Sequence, residues 1–263
     1  MLRRTVESRT LCVKRLAHNM AIRKYLQNNT AIANSTVFQG TLYEHTVVRE
    51  LGEKLLMKNL EVCGGSYDGG IDIRGKWPVN QIYETARERF ELSADFPKKV
   101  SVNGTQFKPV RHKLDTKSSF RPLNVLVQCK AFKNAKITGK EIRESMGAFS
   151  SCVPASRKNQ YVFMLSSPNM LTRDALNVMN ALAIPLVYVR VEMLKSHQGW
   201  FDLENSGKLQ NYYENEFASK FLQNCGVSLW LKFKLYRSPS QKTVPKTAGG
   251  LSDLKASSVD QIL

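Results

Sequence analysis

The sequence predicts an α/β protein with a mixed central sheet flanked by helices. Three observations lead there. Apolar runs at 123–130 (LNVLVQCK, polar at its end), 161–166 (YVFMLS, unbroken and so buried) and 184–191 (IPLVYVRV) read as strands. Helical patterns at 137–149 and 172–182 separate them. The whole order is then α-β-(insert)-β-α-β-α-β, which is the order of a sheet with helices packed on it.

Each element has its own warrant. Residues 42–60 read as an amphipathic helix, because Tyr43, Val47 and Leu51 repeat at i, i+4 and i+8 while Val48 and Leu55 widen the stripe. Glu44 sits on the edge of that stripe. The segment GGSYDGGIDI (64–73) follows, and its four glycines mark a tight turn. Ile71-Asp72-Ile73 then starts a strand, with alternation putting both isoleucines on one face and Asp72 on the other. Residues 76–121 read as an irregular insertion, and their second half, 98–121, carries seven cations against Asp115, a net of +6. On the strand at 123–130, Gln128 and Lys130 share a face and Cys129 points away. Thr172 is placed to cap the helix that follows it.

Composition bounds the function. The chain has 263 residues, with 39 Lys and Arg against 22 Asp and Glu, for a formal charge of +17. Self-repulsion of that size favours a polyanionic partner, either nucleic acid or an anionic membrane surface. No run approaches the ~18 apolar residues of a membrane helix. The five cysteines (Cys12, Cys63, Cys129, Cys152, Cys225) are odd in number and widely spaced, so they read as reduced thiols. None pairs with a histidine at a zinc spacing.

The ends differ from the middle. The first 43 residues hold seven cations against Glu7, a net of +6, with apolar residues interleaved. This basic, hydroxyl-containing, acid-poor composition reads as a mitochondrial presequence over 1–40, the alternative being a basic arm that binds nucleic acid directly. Residues 237–263 are rich in Ser, Lys, Thr and Gly and read as a disordered tail. The folded body is then 41–236, with the insertion at 76–121.

The chemistry-bearing residues follow from the strand reading. If the strands holding residue 72 and residues 128–130 are neighbours, Asp72, Gln128 and Lys130 converge at one sheet edge. Mg²⁺ or Mn²⁺ asks for oxygen ligands, which the Asp72 carboxylate, the Gln128 side-chain oxygen and the Cys129 main-chain carbonyl would supply. Lys130 would hold an attacking water or offset developing charge on a phosphate, with Glu44 in support. Lys133, Lys136 and Lys140, with Arg111 and Lys113 of the insertion, would line a phosphate-binding rim or merely solubilise the surface. Trp77, Phe90, Phe96 and Phe120 would stack bases or pack the insertion. For Asp68 and Asp72 the plainer alternative is turn capping, for Glu44 a solvated helix face, and for Lys130 an exposed strand end.

Glu44 in a helix, GGSYDGGIDI (64–73) and VLVQCK (125–130) together resemble the PD-(D/E)xK nuclease superfamily, and within it the Mrr-like restriction endonuclease branch. The stretches at 140–149 and 163–189 fit that branch in order and character. A basic N-terminus on such a core is similar to a fungal mitochondrial family required for respiratory growth. The resemblance covers residues 40–195. It implies a restriction endonuclease-like fold and Mg²⁺-dependent hydrolysis of phosphodiester bonds in nucleic acid, DNA before RNA, in the mitochondrial matrix. It implies that Asp72 is the metal-binding aspartate, Gln128 the middle acidic-or-Gln position, Lys130 the catalytic lysine and Glu44 the helical glutamate. Asp68 matches the branch's first aspartate, which shapes the turn. Asp72 and Gln128 are 56 positions apart, so residues 76–121 must form a long insertion between paired strands. Two other readings remain at this stage: a nucleic-acid-binding module without turnover, and a respiratory assembly factor.

Overall fold

The computed structural model describes residues 2–33, 35–64, 69–115 and 120–236. Asp68 and the 237–263 tail lie outside the described residues. In chain order the elements are α1 (Leu2–Asn28), α2 (Thr36–Lys54), β1 (Lys58–Val62), β2 (Ile73–Trp77), α3 (Val79–Arg89), β3 (Val100–Val102), β4 (Thr105–Phe107) and α4 (Arg111–Asp115). Then follow β5 (Leu123–Cys129), α5 (Gly139–Cys152), β6 (Tyr161–Ser167), α6 (Arg173–Ala181), β7 (Leu186–Val191), β8 (Ser196–His197), β9 (Trp200–Phe201), β10 (Leu209–Glu214), α7 (Glu216–Phe221) and α8 (Val227–Tyr236).

The main sheet has six strands in the order β1-β2-β5-β6-β7-β10. Strands β5, β6 and β7 are parallel, whereas β1, β2 and β10 run antiparallel to their neighbours. Alternate side chains feed two cores. Val125, Val127, Val162, Met164, Val187 and Val189 pack with α2, α7 and the insertion, while Leu126, Phe163, Leu165 and Leu186 pack with α5 and α6. Both faces are covered, which accounts for the unbroken apolar runs. Among the described residues, no helix is long and apolar enough to cross a membrane.

Two expectations need correction, and a stretch left unassigned gains elements. The helix expected at 42–60 runs from Thr36 to Lys54, capped by the Ser35 hydroxyl accepting from Phe38 N. Leu56 and Asn59 take positive φ, 56° and 51°, which turns the chain out of the helix and into the edge strand β1. Residues 76–121 are not irregular. They hold the end of β2, helix α3, the β3–β4 hairpin and α4, and they place Val79, Ile82, Val102, Phe107 and Val110 in the core. The hairpin turns on Asn103-Gly104, at φ 48° and 77°, a pairing suited to a tight two-residue turn. The stretch from residue 192 to 236, unassigned from periodicity, supplies the sixth strand and α7, whose Phe217 stacks on Phe107 at 4.0 Å.

The strand pairing fixes where the insertion lies. In the antiparallel β2–β5 pair, Trp77 is opposite Leu123 and Ile73 is opposite Val127. The chain therefore leaves and re-enters the sheet at the end remote from residue 72. At the near end lie the C-termini of the parallel strands β5, β6 and β7.

Helix α1 is docked on α2 from Arg15 onward. Ile22 is fully buried among Phe38, Leu42, Leu194 and Leu203. Arg49, also fully buried, donates to the carbonyls of Leu203, Ser206 and Gly207, to Asn19 Oδ1 at 3.3 Å and to Glu50 at 3.1 Å. The 40/41 boundary drawn from composition thus falls inside α2.

Candidate functional site

The site begins in the glycine turn. Gly69 and Gly70 take φ of 66° and 78°, which L side chains rarely adopt. A Cβ at Gly70 would lie 3.2 Å from Ala148 Cβ and 3.3 Å from Gln128 Nε2, so the bare backbone lets the turn close onto α5 and β5. Asp72 comes next. Its N–H donates to Val127 O at 2.9 Å, and its carbonyl accepts from Cys63 N at 2.7 Å. Its carboxylate Oδ2 accepts from Cys129 N at 2.5 Å.

The expected alternation fails here. Ile71 lies in the α5–α6 core and Ile73 in the α2 core, on opposite sides of the sheet. Strand β2 begins only at Ile73, so Asp72 still belongs to the turn and its carboxylate caps the sheet end instead of projecting from one face.

Across the pairing, β5 delivers the other residues. Gln128 is buried on the α5 side, and its Oε1 is a buried acceptor with no hydrogen-bond partner among the described residues. Lys130 donates its main-chain N–H to Ser166 O at 2.8 Å and directs its ammonium to Glu144 Oε2 of α5 at 3.9 Å. Glu144 also faces Lys140 at 3.8 Å. Cys129 points the other way, toward α2. Burial pushes its thiol pKa well above the usual range, and the Asp72 and Glu44 carboxylates push it further. Both carboxylates therefore bear on this one residue, Glu44 from α2 and Asp72 from the turn. Beside them Tyr43 Oη is within hydrogen-bond distance of Ser166 Oγ, 2.9 Å, and donates to Val191 O at 3.1 Å.

The structure thus brings Asp72 to the Gln128–Lys130 segment, with Glu44 approaching from the α2 side. Gln128 and Lys130 share the α5 side, as expected. Among the described residues no three His, Cys, Asp or Glu side chains group as a metal site. A cation at this end would rest on a mixed oxygen set: the Asp72 carboxylate, the Cys129 carbonyl and the Gln128 oxygen, which is buried and unsatisfied. That donor chemistry suits a hard divalent ion.

The rim is smaller than expected. Lys133, Lys136 and Lys140 are exposed, in the loop after β5 and the first turn of α5, at the Asp72 end. Arg111 is not on a rim. It is buried, ion-paired to Asp115 at 2.9 Å, bonded to Asn224 O and set 4.1 Å from the Tyr83 ring centroid. Lys113 is exposed on α4, within the insertion that joins the sheet at its far end. The aromatic candidates pack. Trp77 is fully buried and donates to Leu55 O at 3.0 Å. Phe90 meets Phe233, Phe96 meets His112, and Phe120 lies against the main core. Sequence reasoning passed over Glu144, whose only local signal is its i+4 spacing from Lys140.

Fold and site together define a mixed α/β protein with a carboxylate, an amide and a lysine gathered at one end of a six-stranded sheet. A model of the family described as Required for respiratory growth protein 7 matches residues 35–222, and the chain belongs to that family. A relative from Lachancea thermotolerans, "Required for respiratory growth protein 7, mitochondrial", is 88% identical over 249 residues, covering 95% of this chain and 97% of the relative. Relatives of the same name from Saccharomyces cerevisiae and Kluyveromyces lactis are 48% and 47% identical, over 86% and 84% of this chain and 94% of each relative. No solved structure matches the chain.

Proposed function

We propose that this protein is a mitochondrial metal-dependent phosphodiesterase of the PD-(D/E)xK type that acts on nucleic acid in support of respiratory growth. One observation carries the reading. The Asp72 carboxylate meets the Cys129 amide at 2.5 Å, between Gln128 and Lys130, from 57 positions away in sequence. The relatives' printed names supply the compartment and the growth phenotype; the matrix is the compartment in which mitochondrial nucleic acid would be met.

In this reading Asp72, Gln128 and the Cys129 carbonyl would hold Mg²⁺ or Mn²⁺. Such an ion, when bound, polarises a phosphoryl oxygen and acidifies water. The chain's own residues do the rest. Asp72 brings negative charge to the sheet end while its bond to Cys129 N fixes its position. The Lys130 ammonium turns from Glu144 to offset charge developing on the scissile phosphate. Glu44 orients water from the α2 side. Lys133, Lys136 and Lys140 track the phosphate backbone, DNA before RNA.

A second reading, a nucleic-acid-binding module or respiratory assembly factor without turnover, draws on the fact that the Lys130 ammonium already faces Glu144. A cleavage screen separates the two. Purified protein with Mg²⁺ or Mn²⁺ is offered duplex, single-stranded and branched DNA and RNA, beside the Asp72→Ala and Lys130→Ala proteins. The hydrolytic reading expects metal-dependent cleavage that both variants lose while still binding nucleic acid. Absence of any cleavage, or wild-type rates in either variant, defeats it.

A further inference from the structure

We infer that the targeting segment ends before Arg15 and that the rest of α1 stays in the mature protein as a structural helix; this rests on the mitochondrial part of the proposed function, not on its chemistry.

The composition that reads as a targeting signal is already complete in the first 14 residues: Arg3, Arg4, Arg9 and Lys14 stand against the single acid Glu7. From Arg15 onward the same helix is bound into the domain by side-chain contacts. Arg15 donates to the Glu204 carbonyl at 3.0 Å and pairs with Glu53 at 3.5 Å. Burial raises the Glu53 pKa, and Arg15 opposes that rise more than Arg49 and Lys54 do. Asn19 bridges Glu204 Oε1, at 3.0 Å, and the fully buried Arg49, at 3.3 Å. The His18 ring sits where a Cβ at Gly52 would be only 3.0 Å from its Nε2, so α1 and α2 approach closely at a glycine.

One turn further on, Ile22 has no exposed surface, and Tyr25 stacks on Phe38 at 5.3 Å. Removing this half of α1 would uncover the apolar wall of α2 and leave Arg49 and Glu53 each short of a partner inside the fold. A cut beyond Arg15 would therefore destabilise the domain, whereas a cut before it leaves every one of these contacts intact.

The test reads the N-terminus directly. The protein is recovered from mitochondria and its first residue is determined by intact mass and N-terminal peptide sequencing. The expected start is at or before Arg15, and a chain trimmed nowhere satisfies this too. A mature start beyond Arg15 overturns the inference. A second measurement is independent of compartment: limited trypsin digestion of the recombinant full-length chain. The bonds after Arg23 and Lys24 are expected to survive at least about tenfold longer than the same bonds in an Ile22→Asp protein, because docked helix must open before it is cut. Equal rates would show that α1 is not held, and would overturn the inference even if the compartment were correct.

Discussion

At the scale of single residues, Asp72 has two duties that a substitution separates. Its Oδ2 ties the turn to Cys129 N, and its charge serves the proposed cation. Asp72→Asn keeps an acceptor for that amide but removes the charge. The fold should survive, seen as an unchanged thermal midpoint, while metal-dependent cleavage falls by about 100-fold or more. A second residue reports through pH. Glu214 accepts from Tyr212 Oη at 2.7 Å, yet burial pushes its carboxyl up to about 7 from an ordinary value of 4.5. The Tyr212 bond lowers the value but does not win. Because the folded value is above the unfolded one, the proton stabilises the fold fully below about pH 4.5, and this is lost as pH rises through 7. Glu214→Gln keeps the acceptor for Tyr212 and removes the titration. Urea melts should show the variant about 3 kcal/mol more stable than the parent at pH 8 and no such gain at pH 4. Arg111 marks what composition hides: periodicity shows a cation in a basic stretch but not that Asp115 and the Tyr83 ring await it in space.

At the scale of elements, legibility followed burial. Strands β5, β6 and β7 declare themselves because both faces are covered and every position is apolar. Thr172 is an N-cap in sequence and in space, accepting from Ala175 N at 3.2 Å. The edge strands are different. β1 (KNLEV) and β10 (LQNYYE) carry polar side chains on exposed positions, so neither an unbroken run nor clean alternation marks them. Helix α3 and the β3–β4 hairpin were masked by surrounding Lys and Arg, although Ile82, Tyr83 and Ala86 have helical spacing and Asn103-Gly104 is a turn pair. The candidate site was legible as a cluster, since Gly-rich turn, aspartate and Gln-x-Lys follow chain order. Which way Asp72 faces was not, because the chain leaves strand geometry at residue 72. The turn itself supports a prediction. Gly70 combines φ of 78° with a Cβ position 3.2 Å from Ala148 and 3.3 Å from Gln128. Gly70→Ala should cost about 1–3 kcal/mol in denaturant melts, more than a surface substitution, because backbone strain and crowding add. Cleavage should fall further than stability explains, since the strained turn displaces Asp72.

At the scale of the whole molecule, the charge of +17 is divided by topology. The antiparallel pairing of β2 and β5 sends the insertion, with its net of +6 at 98–121, to the end of the sheet opposite Asp72. Lys133, Lys136 and Lys140 stay at the Asp72 end. The two groups of cations are thus placed to play unequal parts. A nucleic acid engaged at the proposed site meets the second group and not the first. Each phosphate contact releases condensed counterions, so binding weakens linearly in log salt with a slope of about 0.9 per contact on duplex DNA. Replacing Lys133, Lys136 and Lys140 together by Ala should lower the slope by about 2 to 3 and weaken binding at low salt by tenfold or more. Replacing Lys98, Lys99 and Lys113 removes the same formal charge from the far end and should change the slope by less than about 1. Fluorescence anisotropy over a salt series, with the metal omitted to prevent cleavage, measures both. Equal losses from the two triple variants would mean that overall charge and not the sheet end governs binding, and would move the nucleic-acid surface away from Asp72.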